Sequence, residues 1–188
     1  MEDQGHIERI RQGDKEAFAF LVQRYKAPAY SIALKILKNS GDAEEVVQEA
    51  FVRAFHSINQ FREESKFSTW LYRIVYNTSI SQIRTNRKSS MHLEDVPEDY
   101  PDFHELNDAL KLIADKEVRG IIQKALEELN ETDFTILTLY YYEDKSLKEI
   151  ARVLGIKHSN AKVKIQRARV KLHDALRHVL KTEIYDLI

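Results

Sequence analysis

The chain contains no cysteine among its 188 residues. Disulfide bonds and thiolate metal sites are therefore excluded, and a reducing cytoplasm is the expected location. Only five glycines and three prolines interrupt the sequence, and long segments show helical rather than strand-like periodicity. No apolar run approaches the roughly 20 residues of a membrane span, and residues 1–6 do not have the pattern of a signal peptide. We expect an all-α protein with no membrane insertion.

Sequence motifs of common enzyme classes are also missing. The chain has no glycine-rich phosphate loop, no His-x-x-x-His pair and no Gly-x-Ser-x-Gly segment. Its seven histidines are scattered, and His173 and His178, which are five residues apart, would not share a helix face. We therefore expect no enzymatic activity, no cofactor and no metal site.

Charge is distributed unevenly along a chain whose formal net charge is only −1. Residues 91–110 contain seven acidic side chains and no lysine or arginine. Pro97 and Pro101 disfavour a helix in this stretch, so we expect an extended acidic linker over residues 91–108. The linker would divide the chain into two small helical domains, residues 1–90 and 109–188. The apolar content of 43% is high enough to give them cores.

The second half contains the pattern of a helix-turn-helix. Residues 146–149 have the Ser-x-x-Glu form of a capping box, which begins a helix by satisfying its first backbone donors. Gly155 suits a turn that needs positive φ, and Ser159 is the expected N-cap of the next helix. One face of that next helix should be buried, since four small or apolar residues recur there at helical spacing: Ala161, Ile165, Ala168 and Leu172.

The other faces of this second helix are strongly basic. Residues 157–177 hold seven lysines and arginines against one acid, Asp174. Such a helix is suited to lie beside DNA phosphates with its N-terminal turns directed at base edges. A surface helix with a solvated basic face is the simpler alternative. The local segregation of charge favours DNA as a partner.

The first half reads as several amphipathic helices with recognisable start signals. Asp14 and Asp42 are expected N-caps, Ser68 is the expected cap of a later helix, and Pro28 fits the first turn of another. In the helix that follows Asp42, the residues expected on the buried side are Ala43, Val46, Val47, Ala50, Phe51, Ala54 and Phe55. The opposite side carries four polar side chains, Asp42, Glu45, Gln48 and Glu49.

The ordered set of features resembles the extracytoplasmic-function (ECF, group IV) sigma factors of bacterial RNA polymerase over nearly the whole chain. Residues 42–51 are similar to the family's core-binding helix, and residues 134–176 look like its region 4. The residues that resemble its region 2 are Phe51, Phe67, Ser68, Thr69, Trp70, Leu71, Tyr72, Arg73, Ile74 and Asn77.

The resemblance implies three sets of contacts. Asp42, Glu45, Gln48 and Glu49 would bind the β′ clamp helices of core RNA polymerase, where carboxylates suit an arginine-rich target. The −10 element would be opened and read by Asn59, Gln60, Phe61, Arg62, Ser65, Lys66, Arg73, Asn77 and Arg84. The −35 duplex would be contacted by Ser159, Asn160, Lys162, Val163, Lys164, Arg167 and Arg169, with Lys162 and Arg169 expected on phosphates.

Further roles follow from the same resemblance. Tyr140, Tyr141 and Tyr142 would lie near the surface that meets the polymerase β flap, with part of the cluster in the core. Trp70 is expected in the core because aromatics at helical spacing usually are. An anti-sigma factor is the implied regulatory partner. The acidic linker would enter the active-site cleft of the polymerase, or serve only as a solubilising tether.

The sequence departs from the family at two places that affect DNA reading. Residues 159–164 replace the common Gly-Thr-Val-Lys-Ser-Arg, and Ser81 stands where many members have aspartate. The promoter sequence therefore cannot be copied from relatives. A stand-alone helix-turn-helix regulator with an N-terminal interaction domain is the alternative function. The acidic Gln-Glu face and the loop-plus-aromatic helix within residues 42–80 argue against it.

Overall fold

A computed structural model describes residues 2–89 and 116–186 of the chain. No strand occurs in these two ranges, which confirms the expected all-α fold. The expected acidic linker, residues 91–108, lies outside the described residues. The helices are α1 Glu2–Arg11, α2 Glu16–Leu37, α3 Ser40–His56, α4 Phe67–Ser89, α5 Lys116–Glu127, α6 Glu131–Tyr141, α7 Leu147–Leu154 and α8 His158–Asp186, and a 3-10 turn, Ile58–Gln60, follows α3.

The backbone contacts divide the chain into two compact units. Helices α1 to α4 belong to the first unit, whereas α5, α6, α8 and most of α7 belong to the second. The division separates the two regions in which sequence patterns predicted different binding surfaces.

The first unit is built on three mutually packed helices, α2, α3 and α4, with α1 against α2. Leu21, Ile32, Val46 and Leu71 are inaccessible to solvent at this junction. The side of α3 predicted to be buried is buried as far as Ala54, and Phe55 is half-buried. The polar side of the same helix is therefore left on the surface.

Helix α2 differs from the expectation that Pro28 begins a helix. It runs unbroken from Glu16 to Leu37 with Pro28 inside it. Proline removes one backbone hydrogen bond from a helix interior, which normally interrupts it. Ala29 and Ile32, directly after the proline, are fully buried. Burial of this stretch offsets the lost hydrogen bond, and that tertiary contribution is invisible in the local sequence.

Two of the predicted caps in the first unit need correction. Asp14 does cap α2, since its Oδ1 accepts hydrogen bonds from the backbone N–H groups of Glu16 at 3.0 Å and Ala17 at 3.2 Å. Asp42 does not cap α3: Asn39 is the N-cap, and its Oδ1 accepts from the N–H of Asp42 at 2.9 Å. Ser68 lies inside the first turn of α4, which begins at Phe67.

The second unit packs α8 against α5 and α6. Ala125 of α5 meets Ala175 and Val179 of α8 in a small apolar cluster. Asn130 caps α6 by accepting from the N–H of Asp133 at 2.9 Å, and the buried carboxylate of Asp133 forms an ion pair with Lys171 of α8. These contacts anchor the C-terminal part of α8. Ala161 and Ile165 bury one side of its first turns, and Lys162 and Val163 on the other sides are exposed.

Candidate nucleic-acid interface

The exposed side of α3 carries the acidic and amide groups predicted to bind polymerase. Glu45, Gln48 and Glu49 are exposed, and Asp42 is half-buried at the start of the helix. Val52 is 55% exposed and lies one helical turn beyond Gln48. The face therefore combines hydrogen-bonding groups with an apolar end, which the sequence reading had not included.

Glu49 has an intramolecular partner on the same helix. Its Oε1 accepts a hydrogen bond from Nη2 of Arg53 at 2.5 Å, in an i,i+4 ion pair whose side chains are both about half exposed. Exposed pairs of this kind contribute little to stability. A cationic partner could replace Arg53 at Glu49 at low energetic cost, so the pair is compatible with the predicted binding role.

The residues predicted to meet the −10 element fall on the 3-10 turn, the following loop and α4. Asn59 and Gln60 are exposed on the turn, and Arg62 and Lys66 are exposed in residues 61–66, hereafter the α3–α4 loop. Ser65 is half-buried. The turn and loop together present polar and cationic groups before α4 begins, alongside the exposed carboxylates of Glu63 and Glu64.

On α4 the predicted groups form one continuous face. Arg73, Asn77 and Arg84 are exposed, and their i, i+4 and i+11 spacing brings them to one side of the helix. Ser81 is exposed close to the same side. No acidic residue occurs between residues 65 and 93, so the face is positively charged.

Phe61 is the exception among the predicted DNA-binding residues. Its ring is only 5% exposed and packs at 5.1 Å from the ring of Trp70 and 6.0 Å from that of Phe67. In this conformation the ring anchors the loop to α4 and is not exposed for a base to stack on. Trp70, expected in the core, is half-buried above this cluster.

Helix α1 binds the α3–α4 loop through long-range contacts that sequence patterns had not indicated. Nη1 of Arg11 donates to Oε1 of Glu63 at 2.7 Å, and its Nη2 donates to the carbonyl of Phe61 at 2.6 Å. Nε2 of Gln4 donates to the other carboxylate oxygen of Glu63 at 2.8 Å. Hydrogen bonds from Gln4 and Arg11 hold the pKa of Glu63 below its usual range, so the carboxylate is charged at neutral pH.

In the second unit, α7 begins as the sequence predicted. The backbone N–H of Ser146 donates to Oε2 of Glu149 at 3.0 Å, and the N–H of Glu149 donates to Oγ of Ser146 at 3.3 Å. These reciprocal bonds are the two halves of a capping box. Gly155 has a φ of +65° in the turn that follows, as expected for a position that favours glycine.

Helix α8 begins at His158, so Ser159 lies in its first turn and not at the N-cap. The predicted buried stripe is present, with Ala161, Ile165 and Ala168 buried and Leu172 partly buried. The predicted −35 residues lie around the remaining sides. Ser159, Asn160, Lys162, Val163 and Arg167 are exposed, and Lys164 and Arg169 are half-buried.

Arg169 is held by two aromatic rings. Its guanidinium carbon lies 5.1 Å from the ring centre of Tyr140 and 5.5 Å from that of Tyr141. Its Nε is shielded from solvent and has no hydrogen-bond partner among the described residues. Tyr141 is more than half exposed, and burial raises the pKa of the neighbouring Tyr142. The tyrosine cluster is thus split between surface and interior, and part of it orients a cation of the basic helix.

The described residues contain neither a membrane-crossing helix nor a cluster of metal-binding side chains. Among residues 2–89 and 116–186, no helix combines the length and apolar character that crossing a membrane requires. The same ranges contain no group of three or more histidine, cysteine, aspartate or glutamate side chains arranged to hold a metal ion.

Comparison with known proteins gives consistent matches to both units. Residues 21–89 match the model of sigma-70 region 2, and residues 119–172 match that of sigma-70 region 4. The chain is 31% identical to the RNA polymerase sigma-H factor of Pseudomonas aeruginosa, over 96% of each chain. It is 33% identical to the ECF RNA polymerase sigma factor SigW of Bacillus subtilis, over 91% of this chain and 95% of that one.

A solved structure has the same fold. The sigma factor RpoE of Bartonella quintana, crystallised with the anti-sigma factor NepR, superimposes with a TM-score of 0.61. The match covers 85% of this chain and 96% of that one at 19% sequence identity. At that identity the likeness concerns the fold alone.

Proposed function

The chain belongs to the extracytoplasmic-function family of sigma-70 RNA polymerase sigma factors, and from this premise we propose which surfaces perform each step of its work. Its function is transcription initiation: it binds core RNA polymerase and directs it to promoter DNA. The family consists of initiation factors, which are not enzymes. The resemblance stated from sequence is therefore confirmed, and the roles of individual residues are the proposal.

Core polymerase binds the exposed side of α3. Glu45, Gln48 and Glu49 offer oxygen acceptors in a row, and Asp42 extends the row to the start of the helix. Charge-assisted hydrogen bonds from arginine are strong and directional, so an acceptor row of this kind fits a basic helical target such as the β′ clamp helices. The exposed Val52 adds apolar contact at the end of the row.

The −10 element is captured by the 3-10 turn, the α3–α4 loop and the exposed side of α4. Arg62 and Lys66 are cations beside the predicted path of the melted strand, and Arg73, Asn77 and Arg84 continue that path along α4. Asn59, Gln60 and Ser65 supply polar groups for base edges. Phe61 is left out of this set, because its ring is buried against Phe67 and Trp70 and is not exposed to a base in this conformation.

The observation that carries the −35 assignment is the exposed basic side of α8, presented directly after a capped helix and a tight turn. Asn160, Val163, Lys164 and Arg167 are the base-reading candidates on the side away from the buried Ala161. Lys162 and Arg169 bind the flanking phosphates, and Ser159 contributes a polar group at the first turn. Tyr140 and Tyr141, which contact Arg169, lie near the part of the chain that meets the polymerase β flap in this proposal.

An anti-sigma factor covers these surfaces when the chain is inactive. The relative from Bartonella quintana was crystallised with such a partner, and exposed acidic and basic faces are suitable targets for a competitor. A protein that works on chromosomal DNA with RNA polymerase belongs in the bacterial cytoplasm, which agrees with the absence of cysteine.

The test is co-elution of the purified full-length chain with core RNA polymerase on gel filtration at moderate salt. We expect a one-to-one complex that then binds and opens promoter DNA. Folded chain that fails to join an active core, yet binds a selected duplex tightly by itself, would contradict the proposal and favour a stand-alone regulator.

A further inference from the structure

Three hydrogen bonds join α1 to the α3–α4 loop across 50 to 59 residues of sequence. Arg11 makes two of them, to the carboxylate of Glu63 at 2.7 Å and to the carbonyl of Phe61 at 2.6 Å. Gln4 makes the third, to the remaining carboxylate oxygen of Glu63 at 2.8 Å. We call these contacts the α1 clasp. Its donors come from one helix face, since Gln4 and Arg11 are seven residues apart.

The clasp holds the loop in a conformation that its own sequence disfavours. Glu63 has a φ of +56°, in the left-handed region that residues other than glycine, asparagine and aspartate rarely adopt. A non-glycine residue stays there only when its surroundings fix it. Both carboxylate oxygens of Glu63 are fixed by α1, so the clasp supplies those surroundings.

The held segment is the one that carries the proposed −10 contacts. Arg62 precedes Glu63 directly, and Lys66 follows it by three residues, so the turn at Glu63 sets the direction of both side chains. The carbonyl held by Arg11 belongs to Phe61, whose ring packs on Trp70 at 5.1 Å. The loop is therefore held by α1 through hydrogen bonds and by Phe67 and Trp70 through their contacts with the ring of Phe61.

We infer that Arg11 is a positioning residue for promoter opening: through Glu63 and Phe61 it pre-forms the α3–α4 loop for the melted −10 strand. The inference rests on the proposed −10 role of that loop. Pre-forming a loop lowers the conformational entropy lost when it binds. Arg11 therefore acts before DNA arrives, and without touching it.

The experiment compares Arg11→Met with Arg9→Met in the full-length chain, assembled with core polymerase. Both arginines lie on α1 and both hold a carboxylate, but Arg9 pairs with Asp14 at 2.6 Å and does not contact the loop. The probe is a non-template −10 oligonucleotide selected by the wild-type holoenzyme from a random single-stranded pool. We expect Arg11→Met to weaken its binding about fivefold, the scale of the net contribution of one hydrogen bond, with Arg9→Met near wild type.

Trp70 provides a readout that a merely stabilising role would not move. It is the chain's only tryptophan and packs on Phe61, so its fluorescence in the free chain reports the loop. Arg11→Met should shift its emission at a temperature where far-UV circular dichroism is unchanged. Gln4→Ala, which removes one bond and leaves Arg11 in place, should produce a smaller change in the same direction.

The outcomes distinguish the positioning role of Arg11 from the proposed −10 role of the α3–α4 loop. Lys66→Ala and Arg62→Ala should themselves weaken oligonucleotide binding. If they do so while Arg11→Met binds normally and leaves the emission unchanged, the clasp has no positioning role. If neither loop variant has an effect, the −10 assignment of the loop is wrong and the inference falls with it.

Discussion

Arg169 shows how neighbouring side chains can restrict the rotamers of an arginine before it binds a phosphate. An arginine on a helix surface has many rotamers, and ordering it on binding costs conformational entropy. Here the guanidinium already lies over the rings of Tyr140 and Tyr141. Its Nε is shielded from solvent, so its Nη groups would be the donors to an anion. If Arg169 binds DNA as proposed, the tyrosines would contribute indirectly, by restricting the arginine.

Replacing Tyr140 with leucine should weaken holoenzyme binding to a −35 duplex about two- to fivefold, since a cation–π contact between partly exposed groups is worth roughly 0.5–1 kcal/mol. Leucine keeps an apolar contact in place of the ring but removes its π face. The measurement is duplex affinity of the reconstituted holoenzyme, repeated in an Arg169→Ala background. In that background Tyr140→Leu should have no further effect. An equal loss with and without Arg169 would place the tyrosine in the interface by itself.

At the scale of elements, the capping box at the start of α7 fixes where the helix-turn-helix begins. Ser146→Ala removes the side-chain acceptor of the Glu149 N–H. Loss of an N-cap costs about 0.5–2 kcal/mol. Hydrogen exchange of the α7 amides should report this cost, because it measures opening of the second unit separately from the first.

Ser159→Ala is the matched control for that cap. The sequence suggested that Ser159 caps α8, but the helix begins one residue earlier, at His158. The substitution should therefore leave exchange in α8 nearly unchanged, while Ser146→Ala accelerates exchange in α7. Equal acceleration by both variants would mean that Ser159 caps its helix in solution.

The exposed side of α3 can be tested as a binding surface without disturbing its buried side. Glu45→Lys combined with Gln48→Ala should abolish core binding. The double variant introduces a positive charge and removes an amide side chain where a basic partner needs hydrogen-bond acceptors. Both residues are exposed, so the fold should be unaffected. Co-elution with core polymerase is the measurement.

The matched control on α2 makes the same chemical change elsewhere in the first unit. Glu16→Lys combined with Gln23→Ala alters net charge identically and also affects two exposed residues of one helix. This variant should retain full core affinity. Core binding by the α3 variant at the wild-type level would remove α3 from the polymerase interface.

Elements that depend on local chemistry could be predicted from sequence, and those that depend on distant contacts could not. The capping box of α7 and the buried stripe of α8 were predicted because spacing alone determines them. The unbroken course of α2 through Pro28 was missed, since burial of the following turn decides it. The α1 clasp was missed for the same reason: no local pattern pairs Arg11 with Glu63.

The same distinction applies to the candidate site: exposure set by helical spacing could be predicted, and burial set by contacts between elements could not. Exposure of Glu45, Gln48 and Arg167 followed from helical periodicity and agrees with the structure. Periodicity says nothing about Phe61, which lies outside regular helix and is buried by Phe67 and Trp70. The binding roles themselves rest on family membership and surface chemistry, and they stay predictions until the variants are measured.

At the scale of the whole molecule, a net charge of −1 gives no general attraction to DNA. On the proposed assignment, attraction would come from the basic surfaces of α4 and α8, while the acidic side of α3 and the acidic sequence of residues 91–110 would repel phosphates. Free chain should therefore bind duplex DNA weakly. Strong promoter binding should require core polymerase, which would neutralise the acidic side of α3 as it binds.

This arrangement predicts how salt should act on two neighbouring positions of α8. Lys162 is proposed to bind a phosphate, so Lys162→Ala in the holoenzyme should reduce the slope of log affinity against log salt by about one. Val163 is proposed to contact a base, so Val163→Ala should lower affinity for the selected −35 sequence without changing the slope. Both side chains are exposed and adjacent in sequence. Each variant is compared with wild type in the same complex, so the phosphate contacts that the polymerase itself makes cancel. A slope unchanged by Lys162→Ala would mean that the lysine faces solvent in the complex, and that the orientation of α8 on DNA differs from the one proposed.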